Sequence, residues 1–273
     1  MSADHRLGVL AIGHGTRNSH GLAEFQSIVE RLAQRQPTWL VEPGLIELAE
    51  PTISQGFARL VERGARQVVA LPLLLFAADH AREDIPRLLD EARQTLAPQR
   101  NGSLPEIAQA EVLGQHPQII ELSQRRYQAA LAGLTTSPVA ELNDLSTVRI
   151  LVSRGSSDPV AIAAVQDFAR RLDVKMSGDP KKPQLAVAFV AVARPSLAEV
   201  LEQAQLGSAR RVVVQPHLLF TGQVLGQIQQ AVDHCRAACP GKEWSIAAHL
   251  GADDCVVAAL ESRVVEACEL FSA

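Results

Sequence analysis

The chain has 273 residues and a formal net charge of −4, and 47% of its residues are hydrophobic, 21% charged and 4% aromatic. This composition excludes a disordered, collagen-like or coiled-coil chain, and the scarcity of aromatic residues and of positive charge excludes a nucleic-acid binder that relies on stacking or on a basic surface. At roughly 100–200 residues per domain, the length predicts about two domains.

Short apolar runs alternate with amphipathic stretches along the whole chain. Strands are predicted at 7–13, 40–48, 67–75 and 109–113, and then at 149–153, 185–193, 211–219 and 245–250. Helices are predicted at 21–35, 51–63, 81–96 and 117–131, and then at 160–172, 196–206, 224–238 and 253–270, with Pro51 and Pro195 at helix starts. Strands that are apolar on both faces and alternate with helices predict a doubly wound α/β fold with parallel sheets.

The second half of the chain repeats the first. The segment RQVVALPLLLF at 66–76 matches RRVVVQPHLLF at 210–220 in seven of eleven positions, and GHGTR at 13–17 aligns with SRGSS at 153–157. Matched segments in the same order indicate a duplication, and the polar stretch 132–147 is the predicted linker. We therefore expect two tandem homologous domains, 1–132 and 148–273, each a four-stranded parallel sheet flanked by helices. A chain that carries its own partner in this way is expected to be a monomer.

Two histidines and an acidic segment are predicted to meet at one edge of the first sheet. Ligands of open α/β sheets bind beyond the carboxyl ends of the strands, where the strand order reverses. With a strand order of 2-1-3-4, the neighbouring loops after strands one and three carry His14 and His80, and Glu47 and Glu50 end the flanking strand. Two imidazoles and a carboxylate suit a divalent transition metal, and imidazoles also act as bases. The simpler interpretation makes the histidines hydrogen-bonded loop residues and Glu50 a helix N-terminal charge.

The second half has lost this set of residues. Arg154 stands in the place of His14, Arg194 stands in the place of Glu50, and no histidine replaces His80. Guanidinium groups pair bidentately with carboxylates, so these arginines suit an anionic ligand. The alternative is a decayed copy that is kept for stability.

The four cysteines all lie in the last 40 residues, without a C-x-x-C pair. Disulfides and a metal site are both conceivable, but reduced thiols are expected because the first residues do not resemble a secretory leader. No stretch reaches the roughly 18 consecutive apolar residues of a membrane span. We therefore expect a cytoplasmic protein with no membrane or nucleic-acid partner.

Four segments stand out, and the three in the first half form a specific, ordered set. The first half contributes GVLAIGHGTR, GLIELAEPTI and VVALPLLLFAADHAREDIP, and the second contributes VVVQPHLLFTGQVLGQI. The chain thereby resembles the class II chelatases of the sirohydrochlorin cobaltochelatase and ferrochelatase family, in the form of a long, two-domain member. The resemblance covers both halves. It implies a chelatase-like fold and a lyase that inserts Co²⁺ or Fe²⁺ into sirohydrochlorin, an anionic tetrapyrrole, for cobalamin or siroheme biosynthesis.

The resemblance also implies roles for individual residues. The metal-handling, catalytic histidines carry over onto His14 and His80, and the acidic metal ligand falls within 47–50, where Glu47 is favoured over Glu50. Rim arginines would pair with the substrate carboxylates, and the candidates are Arg17, Arg82, Arg154 and Arg194. The divalent metal is then a substrate. No iron–sulfur cluster is expected, because Cys235-x-x-x-Cys239 does not have the spacing of a cluster-binding run.

Two other classes of function remain open at this point. One is a metal or tetrapyrrole carrier without turnover, and the other is a generic α/β module that binds a small anion. The sequence also leaves open which metal is inserted and whether the second half binds substrate.

Overall fold

The computed structural model describes residues 7–77, 80–100, 103–134, 147–177 and 185–271, without the side chains of residues 80, 81, 99 and 100. The described residues form two four-stranded parallel sheets flanked by helices, which confirms the predicted fold class. The strands are β1 (Leu7–Gly13), β2 (Leu40–Leu45), β3 (Gln67–Pro72), β4 (Glu106–Gln109), β5 (Thr147–Ser153), β6 (Leu185–Phe189), β7 (Arg211–Pro216) and β8 (Glu243–Ile246). The strand orders are β2-β1-β3-β4 and β6-β5-β7-β8, so the predicted order 2-1-3-4 is confirmed in both sheets.

Helices connect and cover the strands as the amphipathic stretches predicted. They are α1 (Ser19–Arg35), α2 (Ile53–Glu62), α3 (Ile85–Leu96), α4 (Pro117–Ala132), α5 (Pro159–Ser177), α6 (Leu197–Leu206), α7 (Gln223–Ala238) and α8 (Asp254–Cys268). A π-helical turn, His80–Asp84, precedes α3. None of the helices in the described ranges is both long and apolar enough to span a bilayer.

Three local predictions were wrong. Strand β8 lies at Glu243–Ile246 and not at 245–250. The fourth strand lies at Glu106–Gln109 and not at 109–113, because its pairing with β3 ends at Ala70, two residues before Pro72, which has no N–H to donate. Pro51 and Pro195 lie outside the helices and follow cis peptide bonds. The helices instead begin after Thr52 and Ser196, whose side chains cap them in capping boxes.

The chain divides into two compact units, here called the first unit (Met1–Gly114 with Ala252–Ala273) and the second unit (Gln115–Gly251). In the first unit, α2 and α3 cover one face of the sheet, over a core that includes Leu10, Phe57 and Val68. Helices α1 and α8 contact each other, and α8 also contacts β3 and β4. In the second unit, α6 and α7 cover one face, and α4 and α5 contact each other and the sheet.

Each unit therefore takes one helix from the other repeat. Helix α8 is held in the first unit by hydrogen bonds of Glu261 with Arg35 (2.9 Å) and Gln36 (3.0 Å), and Arg31 bonds to Asp254 at 2.6 Å. Helix α4 is held in the second unit by a hydrogen bond of 2.7 Å from the Gln215 amide to the Ser123 carbonyl. The boundaries 1–132 and 148–273 remain a prediction about the duplicated sequence, because the compact units divide the chain elsewhere.

Buried polar side chains are concentrated in the second unit. The Arg149 guanidinium is 1% exposed and forms an ion pair of 2.5 Å with Asp173. His217 is fully buried, its ring centroid lies 4.1 Å from that of Phe168, and desolvation lowers its pKa to about 3. In the repeat alignment His217 corresponds to Leu73 of the first unit, so it is a core residue and not a lost ligand. The four cysteines are free thiols.

Candidate metal centre

The loop after β1 is pressed against the loop after β2. Gly15 has a φ of 95°, and a Cβ at this position would lie 1.8 Å from the carbonyl oxygen of Glu47. Only glycine fits there, since it has no Cβ and adopts positive φ without strain. Two backbone bonds hold the loops together, from Ile46 N to Gly13 O (3.0 Å) and from Glu47 N to His14 O (3.1 Å). The backbone thus sets His14 beside Glu47.

The side chains of these two residues meet at the carboxyl edge of the sheet. His14 Nδ1 lies 3.5 Å from Glu47 Oε1, and the two side chains are 28% and 52% exposed. This distance is at the outer limit of a hydrogen bond. An imidazole and a carboxylate that are both accessible to solvent can take up a divalent transition metal and release it again.

Glu47 is thus the acidic residue that the structure brings to His14. Glu50 is also exposed, and it precedes the cis bond to Pro51. The backbone between them is fixed by hydrogen bonds from Ala49 N to Glu47 O (2.9 Å) and from Leu45 N to Pro51 O (2.8 Å).

His80 starts the π-helical turn that precedes α3, and its side chain lies outside the described part of the structure. Strand β3 pairs with β1, and Leu73 N donates to Ile12 O at 2.7 Å where β3 ends. The chain therefore leaves the sheet next to the end of β1, as the strand order predicted. Among the described side chains, no three His, Cys, Asp or Glu residues form a metal-binding group. The meeting of His80 with His14 remains a prediction.

The four candidate arginines differ in their surroundings. Arg17 and Arg154 are exposed in the loops after β1 and β5, and Arg82 is exposed in the π-helical turn, where its guanidinium contacts the Ala77 carbonyl at 3.4 Å. Arg194 is also exposed but forms an ion pair with Glu199. Hydrogen bonds from Arg194 and then from Ser196 lower the pKa of the Glu199 carboxyl to about 2. The charge of Arg194 is thus already matched within its own unit.

The second unit repeats the loop backbone of the candidate centre without its ligands. Gly155 has a φ of 94°, a Cβ there would lie 1.9 Å from the Ala191 carbonyl oxygen, and Ala191 N donates to Arg154 O at 2.9 Å. Arg154 therefore takes the place of His14, and Ala191 takes the place of Glu47. The sequence analysis named Arg154 but not Ala191, although the offset of 144 residues that pairs Pro51 with Pro195 also pairs Glu47 with Ala191.

One feature of these loops was missed by the sequence analysis. Leu48 and Val192 have φ values of 65° and 63°, in the left-handed region that bulky residues avoid. No composition or spacing signal marks them, since glycine or asparagine is the usual sign of such a backbone.

Comparisons with known proteins cover nearly the whole chain. The CbiX family model matches residues 8–130 and 148–267. A sirohydrochlorin ferrochelatase of Priestia megaterium is 29% identical over 96% of this chain and 90% of its own length. A sirohydrochlorin cobaltochelatase of the same organism is 28% identical over 98% of this chain and 82% of its own. SirB from Bacillus subtilis, solved with Fe³⁺, superimposes with a TM-score of 0.80 at 25% identity, over 96% of this chain and 95% of that chain.

Proposed function

The chain belongs to the CbiX family, and from that premise we propose that it is a metal chelatase that inserts a divalent ion, Co²⁺ or Fe²⁺, into sirohydrochlorin. The relatives of similar length named above are a sirohydrochlorin ferrochelatase and a sirohydrochlorin cobaltochelatase. The observation that carries the proposal is the open His14–Glu47 pair, with Nδ1 and Oε1 3.5 Å apart. The product would serve siroheme or cobalamin biosynthesis.

The reaction requires a site that binds metal without enclosing it. Insertion replaces the water shell of the ion with four ring nitrogens and removes two pyrrolic protons. Two histidines and one carboxylate leave coordination positions open, in contrast to a closed four-ligand structural site. We propose that His14, His80 and Glu47 are these ligands, since neutral imidazole binds metal. Once the ion has passed to the ring nitrogens, the freed nitrogens of the two histidines accept the two pyrrolic protons, since imidazole titrates near neutral pH.

The substrate is a polyanion, and exposed arginines suit its carboxylates. We propose Arg17, Arg82 and Arg154 as partners, because all three are exposed. Arg194 would first have to leave Glu199, so it is the weakest of the four candidates.

A turnover assay tests the proposed activity. Sirohydrochlorin and Co²⁺, Fe²⁺ or Ni²⁺ are mixed with and without catalytic amounts of protein, and the absorbance change of the tetrapyrrole is followed. Many turnovers per protein molecule are expected, and the metal with the highest rate in competition is the physiological candidate. A change limited to one equivalent would indicate a carrier, and no response to metal or tetrapyrrole would contradict the proposal.

We also propose that the protein acts as a monomer in the cytoplasm, without a membrane or nucleic-acid partner. Two homologous repeats in one chain, four free cysteines and a net charge of −4 support this. Light scattering at the assay concentration would measure the mass, and a stable dimer would contradict the first part.

A further inference from the structure

Leu48 and Val192 are exposed apolar residues in a strained backbone. Their φ values are 65° and 63°, and 50% and 76% of their surfaces are exposed. They occupy equivalent positions, because each follows the residue whose carbonyl oxygen contacts Gly15 or Gly155. The feature therefore occurs once in each unit.

The fold itself does not account for these side chains. A left-handed backbone is unfavourable for any residue with a Cβ and most unfavourable for a β-branched one. Burial in the core would offset that strain, but Leu48 is half exposed and Val192 is three-quarters exposed. Glycine would adopt the same backbone without strain. An apolar side chain at this position therefore indicates contact with something outside the folded chain.

The position of Leu48 identifies the chemistry of that contact. It follows Glu47, whose carboxylate lies 3.5 Å from the His14 imidazole, so it lies at the rim of the candidate metal centre. A tetrapyrrole has a charged periphery and an apolar ring, and the ring is the part that must reach the metal. We infer that Leu48 is an apolar contact for the macrocycle and raises the affinity for the tetrapyrrole, not for the metal. This inference rests on the proposed function.

In the second unit, the apolar residue occurs without the metal ligands. Its loop has Arg154 and Ala191 in place of His14 and Glu47 but keeps an apolar, left-handed residue in Val192. Because the apolar residue is kept where the metal ligands are absent, its role is not to position those ligands. The apolar side chain thus has a role of its own.

Substitutions of Leu48 test the inference. Leu48→Gly and Leu48→Asn both accept the left-handed backbone and remove the apolar contact, whereas Leu48→Met retains it. We expect Leu48→Gly and Leu48→Asn each to raise the KM for sirohydrochlorin about tenfold, which is the effect expected when a half-buried leucine side chain no longer contacts the ligand. Leu48→Met should keep the KM for sirohydrochlorin at its wild-type value. The Kd for Co²⁺ alone, from calorimetry, should change less than about twofold, and the unfolding midpoint should not fall.

The control is Leu206→Asn, since Leu206 is 83% exposed at the end of α6. It should leave all three measurements unchanged. An unchanged KM in the folded Gly and Asn variants would refute the inference while leaving the proposed function intact. An equal loss of Co²⁺ affinity would also refute it, because Leu48 would then act through the metal loop. Wild-type protein without turnover would refute the proposed function itself, and metal-free titration with sirohydrochlorin would still test the contact.

Discussion

The carbonyl oxygen of Glu47 occupies the space that a Cβ on residue 15 would need, only 1.8 Å away. This contact joins the loop that carries His14 to the loop that carries the carboxylate. The same contact joins Gly155 to Ala191 in the second unit, at 1.9 Å. The duplicated backbone was therefore retained while the chemistry of its side chains diverged.

Replacing Gly15 should damage both stability and metal binding. Gly15→Ala adds a Cβ at a φ of 95° and against backbone, so we expect a loss of unfolding free energy of about 2 kcal/mol or more. The His14–Glu47 pair should separate, which lowers Co²⁺ affinity. Denaturant unfolding and calorimetry measure the two effects. Gly64→Ala is the matched control, because Gly64 has a φ of 84° but a Cβ there would meet nothing within 4 Å. Equal losses in both variants would contradict the importance of the contact.

Substitutions should distinguish the proposed metal ligands from the neighbouring acidic residue Glu50. His14→Ala and His80→Ala should each reduce the rate of metal insertion by about 100-fold or more, because each removes a ligand and a proton acceptor. Glu47→Gln should reduce it as well, since an amide is a weaker ligand than a carboxylate. Glu50→Gln serves as the control for charge at the same loop. Full insertion activity in a folded His14 or His80 variant would exclude that residue from the site.

Two arginines of the second unit should respond differently to substitution. Arg154→Gln should raise the KM for sirohydrochlorin severalfold, because an exposed charge available to the substrate is lost. Arg194→Gln should leave that KM nearly unchanged, since Arg194 is paired with Glu199. It should instead raise the pKa of Glu199 from about 2 toward the ordinary 4.5, which an NMR titration measures. A larger effect on KM from Arg194 than from Arg154 would reverse the assignment.

His217 should make the protein less stable in acid. Its pKa is about 3 when folded and about 6.5 when exposed, so the unfolded chain binds the proton more readily. This titration leaves the free energy of unfolding unaffected above pH 6.5. As the pH falls from 6.5 toward 3, it lowers the free energy of unfolding by about 1.4 kcal/mol per pH unit. His217→Leu introduces the residue found at the equivalent position of the first repeat. It should reduce the slope of unfolding free energy against pH, between pH 3 and 6.5, by the equivalent of one bound proton. His234→Gln changes an exposed histidine and should leave the slope unaltered; a slope unchanged in both variants would argue against this titration.

The strand order and the His14–Glu47 pair were predictable because both follow from simple patterns. Apolar runs alternating with amphipathic stretches define a doubly wound sheet, and this sheet has one edge where the loops after neighbouring strands meet. Once β1 and β2 are neighbours, residues just past their carboxyl ends must be close. That topology brings the two loops together, and within them the side chains of His14 and Glu47 lie 3.5 Å apart.

The exchange of helices and the buried charge were not predictable in the same way. Helices α4 and α8 are amphipathic, and an amphipathic pattern shows which face is buried but not which sheet covers it. Arg149 stood in a predicted strand, but its burial depends on Asp173, 24 residues away in sequence. Left-handed Leu48 carries no residue signal at all. Each of these depends on tertiary contacts and not on local pattern.

The placement of α8 in the first unit has a consequence for synthesis. Domains commonly fold as units on the ribosome, with the N-terminal one first. Here the sheet that carries His14 emerges first, but the helix that packs beside α1 emerges only after all of β5 to β8. The first unit is therefore begun first and completed last. A nascent chain cannot finish this unit until the ribosome has also translated the second, so the first unit stays incomplete while residues 115–251 are made.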